Sequence, residues 1–107
     1  MKFLVLFKQK PNAQVPPEMF PPILRACKDY IDAHTGKDLD CSYLVLPNEN
    51  GIVGVAIGTA DTAEEAFRSV YDYPLSPFLN VEVYPVADSK KGMDIEIEQA
   101  ERMLAHA

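Results

Sequence analysis

Apolar runs separated by turn-forming residues predict four β-strands, at residues 3–8, 41–47, 52–58 and 79–86. These runs are rich in Val, Leu, Ile, Phe and Tyr, which are the residue types enriched in strands. Residues 48–51, Asn-Glu-Asn-Gly, separate the second run from the third, and both Asn and Gly tolerate positive φ. We therefore expect these two strands to pair as a hairpin.

A first helix is predicted after the first strand, because apolar residues recur there at helical spacing. It starts at Pro21 and Pro22, since a missing N–H costs nothing in a first turn, and it runs to Thr35. Gly36 suits the position just beyond a helix end. Its apolar face consists of Ile23, Cys27, Tyr30, Ile31 and His34.

A second helix is predicted from a capping box in which Thr62 and Glu65 satisfy N–H groups that the helix leaves free. The helix ends before Pro74. Pro77 then prevents a new helix and is expected to keep Ser76 extended, so that the chain leads directly into the fourth strand.

A third helix is predicted near the C-terminus, with Asp94 as its N-cap. Its narrow apolar stripe consists of Met93, Ile97, Ala100 and Leu104. The order strand, helix, strand, strand, helix, strand predicts a ferredoxin-like βαββαβ fold of the α+β class, in one domain covering residues 1–107. Right-handed crossovers place both central helices on one face of the antiparallel sheet.

The predicted sheet is apolar on both faces, whereas one face of an antiparallel sheet is commonly solvated. The first strand has Phe3, Val5 and Phe7 on one side, but Leu4 and Leu6 on the other. Leaving about six such side chains in water would forgo on the order of 10 kcal/mol, which rivals the stability of a whole domain. We expect a second copy to cover this face and form a dimeric α+β barrel. The alternative is a monomer whose third helix folds over the sheet.

Composition excludes several classes of protein. Hydrophobic residues make up 48% of the chain and charged residues 24%, as in globular proteins. The net charge of −6 argues against a nucleic-acid or membrane-surface binder. No apolar run approaches the roughly 18–20 residues that span a bilayer. Cys27 and Cys41 lack metal-binding spacing, and we expect them to be reduced thiols in a cytoplasmic protein with no metal.

Candidate catalytic residues lie on the fourth strand, where Asn80, Glu82 and Tyr84 alternate with apolar residues. If the apolar side meets the helices, these polar side chains point into the barrel. A carboxylate in an apolar cavity has a raised pKa, so that Glu82 would serve as general acid or base, with Tyr84 or Tyr43 as hydrogen-bond donor. The alternative is that Glu82 is solvated or paired with Lys8.

The third strand completes this predicted site. Its large residues are expected to contact the helices: Val53, Val55 and Ile57. Its small residues would then leave room for a ligand inside the barrel, next to Asn80: Gly54, Ala56 and Gly58. His34 is interpreted as a favourable charge at the end of the first helix and not as a catalyst.

Residues 51–86 resemble the muconolactone isomerase-like group of dimeric α+β barrels, through a strand, a Thr-capped helix and the passage YPLSPFLNVEVYPV. The resemblance implies a homodimer that assembles further and a cofactor-free isomerase that moves a proton on an unsaturated lactone. Members of this group carry charged or histidine side chains on the first strand and in the central hairpin. This chain has FLVLF at residues 3–7 and Gly-Ile-Val at residues 51–53, so the resemblance carries the fold and the dimer but leaves the activity open.

Two functional hypotheses follow from these observations. The first is a small cofactor-independent isomerase whose base is Glu82. The second is a non-catalytic oligomeric module whose barrel binds a small apolar ligand or is filled by its own side chains.

Overall fold

The computed structural model of the chain describes residues 1–106. Within these residues the elements are β1 (Lys2–Gln9), α1 (Phe20–His34), β2 (Leu39–Leu44), β3 (Ile52–Thr59), α2 (Ala63–Tyr71), β4 (Leu79–Val86) and α3 (Ser89–Ala105). Short 3-10 helices, Pro17–Met19 and Ser76–Phe78, precede α1 and β4. The predicted order of strands and helices is confirmed.

The four strands form one antiparallel sheet in the order β2-β3-β1-β4. Val5 of β1, Ala56 of β3 and Val70 of α2 are buried together and form the centre of the core. Cys27 of α1 is also buried. The sheet order and the helix-covered face are those of the predicted ferredoxin-like α+β fold.

Local signals in the sequence set several element ends. The Thr62 hydroxyl accepts a hydrogen bond of 3.2 Å from the Glu65 N–H, and the Glu65 carboxylate accepts one of 3.2 Å from the Asp61 N–H. The first bond satisfies a donor of the first turn of α2, as the predicted capping box requires, while Glu65 bonds the N–H of the residue before the N-cap. After α1, Gly36 has φ of 86°, a conformation that glycine adopts without strain.

Apart from shifts of one residue at the ends of β1, α1 and β3, three local predictions differ from the structure. The N-cap of α3 is Asp88, whose carboxylate accepts a hydrogen bond of 3.0 Å from the Lys91 N–H, so the helix begins before Asp94. Ser76 lies in a 3-10 helix and is not extended. The strand β2 is Leu39–Leu44 and not residues 41–47, and the Asn48 side chain bonds to backbone groups of the connection to β3.

The register of the ladders assigns side chains to the two faces of the sheet, since directly opposed residues point the same way. The face that packs on α1 and α2, here called the helix face, carries the row Ser42, Ala56, Val5 and Val83. The opposite face, here called the open face, carries two apolar-rich rows. These rows are Tyr43, Val55, Leu6 and Glu82, and Cys41, Ile57, Leu4 and Tyr84.

The helix α3 does not cover the open face. None of its residues is buried, and it makes hardly any contact with the other elements of the described chain. Two exposed side chains of the open face are Tyr43 and Tyr84, which are 67% and 46% accessible. The alternative in which the third helix folds over the sheet is therefore wrong for this chain.

Candidate functional site

A cavity of about 350 Å³ lies between the helix face of the sheet and the helices α1 and α2. Its floor is formed by β1, β2 and β3, and its walls by side chains of the two helices and of the segment after α2. Most of the lining is apolar. Cavities of this size are at the lower end of the range that binds small organic molecules.

The room in this cavity comes from small residues on the helix face of β3. Gly54 lies opposite Phe7, and Gly58 lies opposite Phe3. A Cβ at Gly54 would lie 3.7 Å from the Phe7 ring, so the aromatic side chains of β1 occupy part of the space that glycine leaves. The remaining space is the cavity, which Ala56 also lines.

These positions correct the predicted orientation of β3. Gly54, Ala56 and Gly58 were expected to face the barrel interior, but they face the helices. Val55 and Ile57 lie on the open face instead, opposite Leu6 and Leu4. The bulky side chains of β1 decide this arrangement, because they already fill the helix face and leave space there only for small partners. Val81 and Val83 meet the core as predicted.

The tyrosines Tyr30 and Tyr73 line the cavity. Tyr30 donates a hydrogen bond of 2.7 Å from its hydroxyl to the Ser69 carbonyl oxygen, and its ring lies edge-on to that of Tyr73 at 5.5 Å. Burial raises the pKa of Tyr30 to about 12, with smaller contributions from Asp38 and Asp72. Burial, followed by the nearby Cys27 thiol, raises the pKa of Tyr73 far above its ordinary value. Both phenols are therefore neutral hydrogen-bonding groups at physiological pH.

An imidazole–carboxylate pair stands at the same end of the cavity. His34 Nδ1 lies 2.8 Å from Asp38 Oδ1, and the His34 ring stacks on Tyr30 with ring centroids 4.0 Å apart. Asp38 lines the cavity. Sequence reasoning interpreted His34 as a charge at a helix end and did not single out Asp38. The i,i+4 spacing of the two residues across the end of α1 was the available signal.

The predicted catalytic residues Glu82 and Tyr84 lie outside this cavity, on the open face. Glu82 Oε1 lies 3.1 Å from Lys8 Nζ, and Tyr84 donates a hydrogen bond of 2.9 Å to Glu82 Oε2. The hydrogen bonds from Lys8 and then Tyr84 lower the pKa of Glu82, so the expected raised pKa is wrong. The predicted alternative, a Glu82–Lys8 pair, is what the structure contains.

The remaining predicted site residues are placed on the same face but at different distances. Asn80 lies opposite Lys8 and therefore near Glu82. Tyr43 belongs to β2, at the other edge of the sheet from β4. Three strand spacings of about 4.8 Å separate these edges, so Tyr43 does not meet Glu82 within one protomer. Among residues 1–106, no group of three or more His, Cys, Asp and Glu side chains is arranged to hold a metal ion.

Comparison with known proteins places this architecture. No protein-family model matches the sequence, and no curated protein matches it significantly. The solved structure of muconolactone isomerase matches with a TM-score of 0.67 over 82% of this chain and 90% of that chain, at 13% identity. This chain has the ferredoxin-like fold of muconolactone isomerase. The resemblance predicted from residues 51–86 is thus confirmed at the level of the fold.

A second solved structure supports the same assignment. It is the 5-chloro-2-hydroxyhydroquinone dehydrochlorinase TftG from Burkholderia phenoliruptrix AC1100, in complex with 2,5-dihydroxybenzoquinone. It matches with a TM-score of 0.66 over 85% of this chain and 98% of that chain, at 15% identity. Separately, no helix among the described residues has the length and apolar character needed to cross a membrane.

Proposed function

We propose that this protein binds a small, mostly apolar ring compound in the cavity between its sheet and its two central helices. The observation that carries this proposal is the cavity itself: about 350 Å³ of space, lined mainly by apolar residues, with a few polar residues among them. This combination is typical of small-molecule sites, where apolar walls supply affinity and a few polar groups fix orientation. An apolar cavity of about 150 Å³ holds a benzene ring, so this cavity accepts one substituted ring.

The two proteins of the same fold support this ligand class. One is an isomerase named for muconolactone, and the other is a dehydrochlorinase captured with a benzoquinone. Both names denote small ring compounds. The enzyme activity that we propose for such a site is a cofactor-independent isomerisation of the bound ring compound.

A non-catalytic binding module is the second candidate function. It is favoured by one specific observation: Glu82, the residue predicted to be the base, lies outside the cavity and is already engaged by Lys8 and Tyr84. A carboxylate with a lowered pKa is a weak base at neutral pH, so the open-face network of these three residues is better suited to structure than to catalysis.

We further propose that the open face is covered by the same face of a second copy. The rows that contain Leu4, Leu6, Val55 and Ile57 give this face an apolar centre, and α3 leaves it uncovered. Two such sheets packed face to face would form the homodimeric α+β barrel. Glu82 and Lys8 would then enter the interface as a neutralised pair.

The cavity proposal is tested by filling the cavity. The probes are phenol, 2-cyclohexenone and α-angelica lactone at millimolar concentration, observed by the rise in melting temperature and by proton NMR line broadening. Ala56 packs with Val5 and Val70, so Ala56→Leu places three extra carbon atoms in the cavity. We expect a melting-temperature rise with at least one probe for the natural protein and none for Ala56→Leu.

Ala33→Leu is the matched control, because Ala33 is exposed on α1 and does not line the cavity. This variant should bind the same probes as the natural protein. Absence of binding of all three probes to the natural protein, or unchanged binding to Ala56→Leu, would overturn the proposed function.

A further inference from the structure

Several hydroxyl groups along the cavity already donate their proton to another part of the chain. Tyr30 donates to the Ser69 carbonyl oxygen at 2.7 Å, and the Ser69 hydroxyl donates to the Glu65 carbonyl oxygen at 3.1 Å within α2. The Thr59 hydroxyl donates to the Asp40 carboxylate at 3.1 Å. These three hydroxyls therefore have no proton to offer a ligand, and what they can offer is the lone pairs of their oxygen atoms.

The other polar residues of the lining add acceptors and no cation. Burial and then hydrogen bonding with the Cys27 thiol raise the pKa of Tyr73, so this phenol is neutral and its hydroxyl is already engaged. Asp38 is a partly exposed carboxylate that lies 2.8 Å from His34. Tyr43 points to the open face, away from the helices. No Lys or Arg is among the lining residues of the described chain.

Ser42 differs from these groups. It lies opposite Ala56 in the ladder of β2 and β3, which places its side chain on the helix face next to the buried centre of the core. Ser42 lines the cavity, and its hydroxyl takes part in none of the side-chain hydrogen bonds found within residues 1–106. A hydroxyl carries one donor and two acceptor lone pairs, so Ser42 is able both to donate to a ligand and to accept from it.

We propose that Ser42 orients the ligand in this cavity, and that the ligand is a neutral ring compound bearing a hydroxyl group. The inference rests on the proposed function, because it concerns a ligand in the same cavity, and it adds the ligand's functional group and the residue that recognises it. The ligand hydroxyl accepts the Ser42 proton and donates its own proton to an acceptor oxygen of the lining. A few such polar contacts fix the orientation of a ligand whose affinity comes from apolar walls.

Ligands without a proton to donate fit this lining less well. A ketone, ester or ether oxygen accepts the Ser42 proton, but it leaves the acceptor oxygens of the cavity without a donor when the ligand displaces water. A carboxylate would lose its hydration without gaining a cationic partner, which is costly in an apolar site. The net charge of −6 also disfavours an anion. The cavity therefore selects a hydroxyl over a carbonyl or ether, and a neutral ligand over an anionic one.

Proton NMR titration of the full-length protein with phenol and anisole tests this inference. The two probes share an aromatic ring, but the methoxy oxygen of anisole has no proton to donate. We expect phenol to bind about fivefold more tightly than anisole, since one net hydrogen bond changes a dissociation constant by about that factor. Benzoate, which is ionised at neutral pH, should bind at least about tenfold more weakly than phenol.

Substitutions at Ser42 test whether this residue makes the distinction. Ser42→Ala removes the hydroxyl and should bring the dissociation constants of phenol and anisole within about twofold of each other. Ser42→Cys nearly keeps the volume but replaces the hydroxyl with a weakly hydrogen-bonding thiol, so it should have the same effect and carries the test if Ser42→Ala does not fold. Ser89→Ala is the matched control, because Ser89 is exposed at the start of α3 and outside the lining. It should keep the full preference for phenol.

The two proposals fail in different ways. Anisole or benzoate binding as tightly as phenol, or a preference for phenol that survives in both Ser42 variants, overturns the assignment of Ser42 and of the ligand hydroxyl. The binding function then still stands. Absence of binding of every neutral probe overturns the binding function and this inference together.

Discussion

Tyr30 of α1 and Glu82 of β4 show how the surroundings of an acidic side chain shift its pKa in opposite directions. Tyr30 is half-buried between α1 and the segment that holds Ser69 and Tyr73, and burial raises its pKa to about 12. Glu82 is accessible on the open face, where Lys8 and Tyr84 lower its pKa. Each shift makes the group's usual state at neutral pH more secure: the phenol stays neutral and the carboxylate stays ionised.

For Tyr30→Phe, we expect a loss of about 1 kcal/mol in the free energy of unfolding, because the Ser69 carbonyl oxygen loses its donor. The pKa is raised in the folded state, so the advantage of the natural protein is full below pH 10. It declines as the pH rises from 10 towards about 12. Urea denaturation at several pH values measures this difference. Tyr71→Phe is the control, since Tyr71 is exposed and should change stability by less than about 0.5 kcal/mol.

For Glu82→Gln, we expect the opposite pH dependence. The folded-state pKa of Glu82 lies below its ordinary value of 4.5, so its contribution to stability is present above pH 4.5 and is lost as the pH falls below that value. The melting temperatures of the natural protein and the variant should therefore differ at pH 7 and converge in acid. A constant difference across this range would show that the Lys8 and Tyr84 contacts do not matter in solution. Glu64→Gln, an exposed change on α2, is the control.

The assignment of β3 to its two faces shows what the sequence could not provide. Both sides of β3 are apolar, so alternation alone does not tell which side meets the helices. The rule that large residues point to the core predicts that Val55 and Ile57 contact the helices. The structure reverses it, because Phe3 and Phe7 of the neighbouring strand occupy the helix face and require Gly58 and Gly54 beside them. The pairing of a large residue on one strand with a small residue on the next can be recognised only when the register of the two strands is known.

At the scale of elements, the sequence predicted helices and strands best where a specific side chain makes a specific backbone bond. The capping box of α2 and the glycine after α1 were both found from residue type and spacing. The start of α3 was not, because Asp88 and Asp94 are both competent N-caps and both precede helix-forming residues. The choice between them depends on where β4 ends, which is at Val86, two residues before Asp88. Likewise, the pair of His34 and Asp38 depends on the turn between α1 and β2.

For Thr62→Ala, we expect a loss of about 1 kcal/mol in the free energy of unfolding, since the Glu65 N–H loses its acceptor at the start of α2. Thr62→Ser keeps the hydroxyl and should remain close to the natural protein. Chemical denaturation of the three proteins measures the difference. Equal losses for Ala and Ser would mean that the methyl group, and not the cap, is responsible.

At the scale of the whole molecule, the uneven coverage of the sheet is the dominant feature. One face is covered by α1 and α2, while the other has an apolar centre and no covering element within the described chain. The Cα radius of gyration is 17.7 Å, whereas a compact domain of this length has about 13 Å. The longest dimension is 64 Å. This elongated shape is consistent with the proposed dimer, in which the chain is one of two subunits.

We expect a homodimer at micromolar concentration, and Ile57→Asp should weaken its association at least about tenfold, because a carboxylate would be buried in the apolar centre of the interface. Size-exclusion chromatography with light scattering measures the mass. Leu24→Asp is the control, since Leu24 is exposed on α1, away from the open face. A natural protein that remains monomeric at this concentration would overturn the proposed barrel.

The helix α3 has few contacts to stabilise it, and this should show in its local opening. Most of the stability of a helix in a protein comes from packing of its apolar face against other elements. The side chains Ile97, Met103 and Leu104 remain 53–79% accessible in the lone chain, so they contribute little to holding the helix together. Amide hydrogens after Ser89 should therefore exchange with solvent far faster than those of β1, which lies in the middle of the sheet.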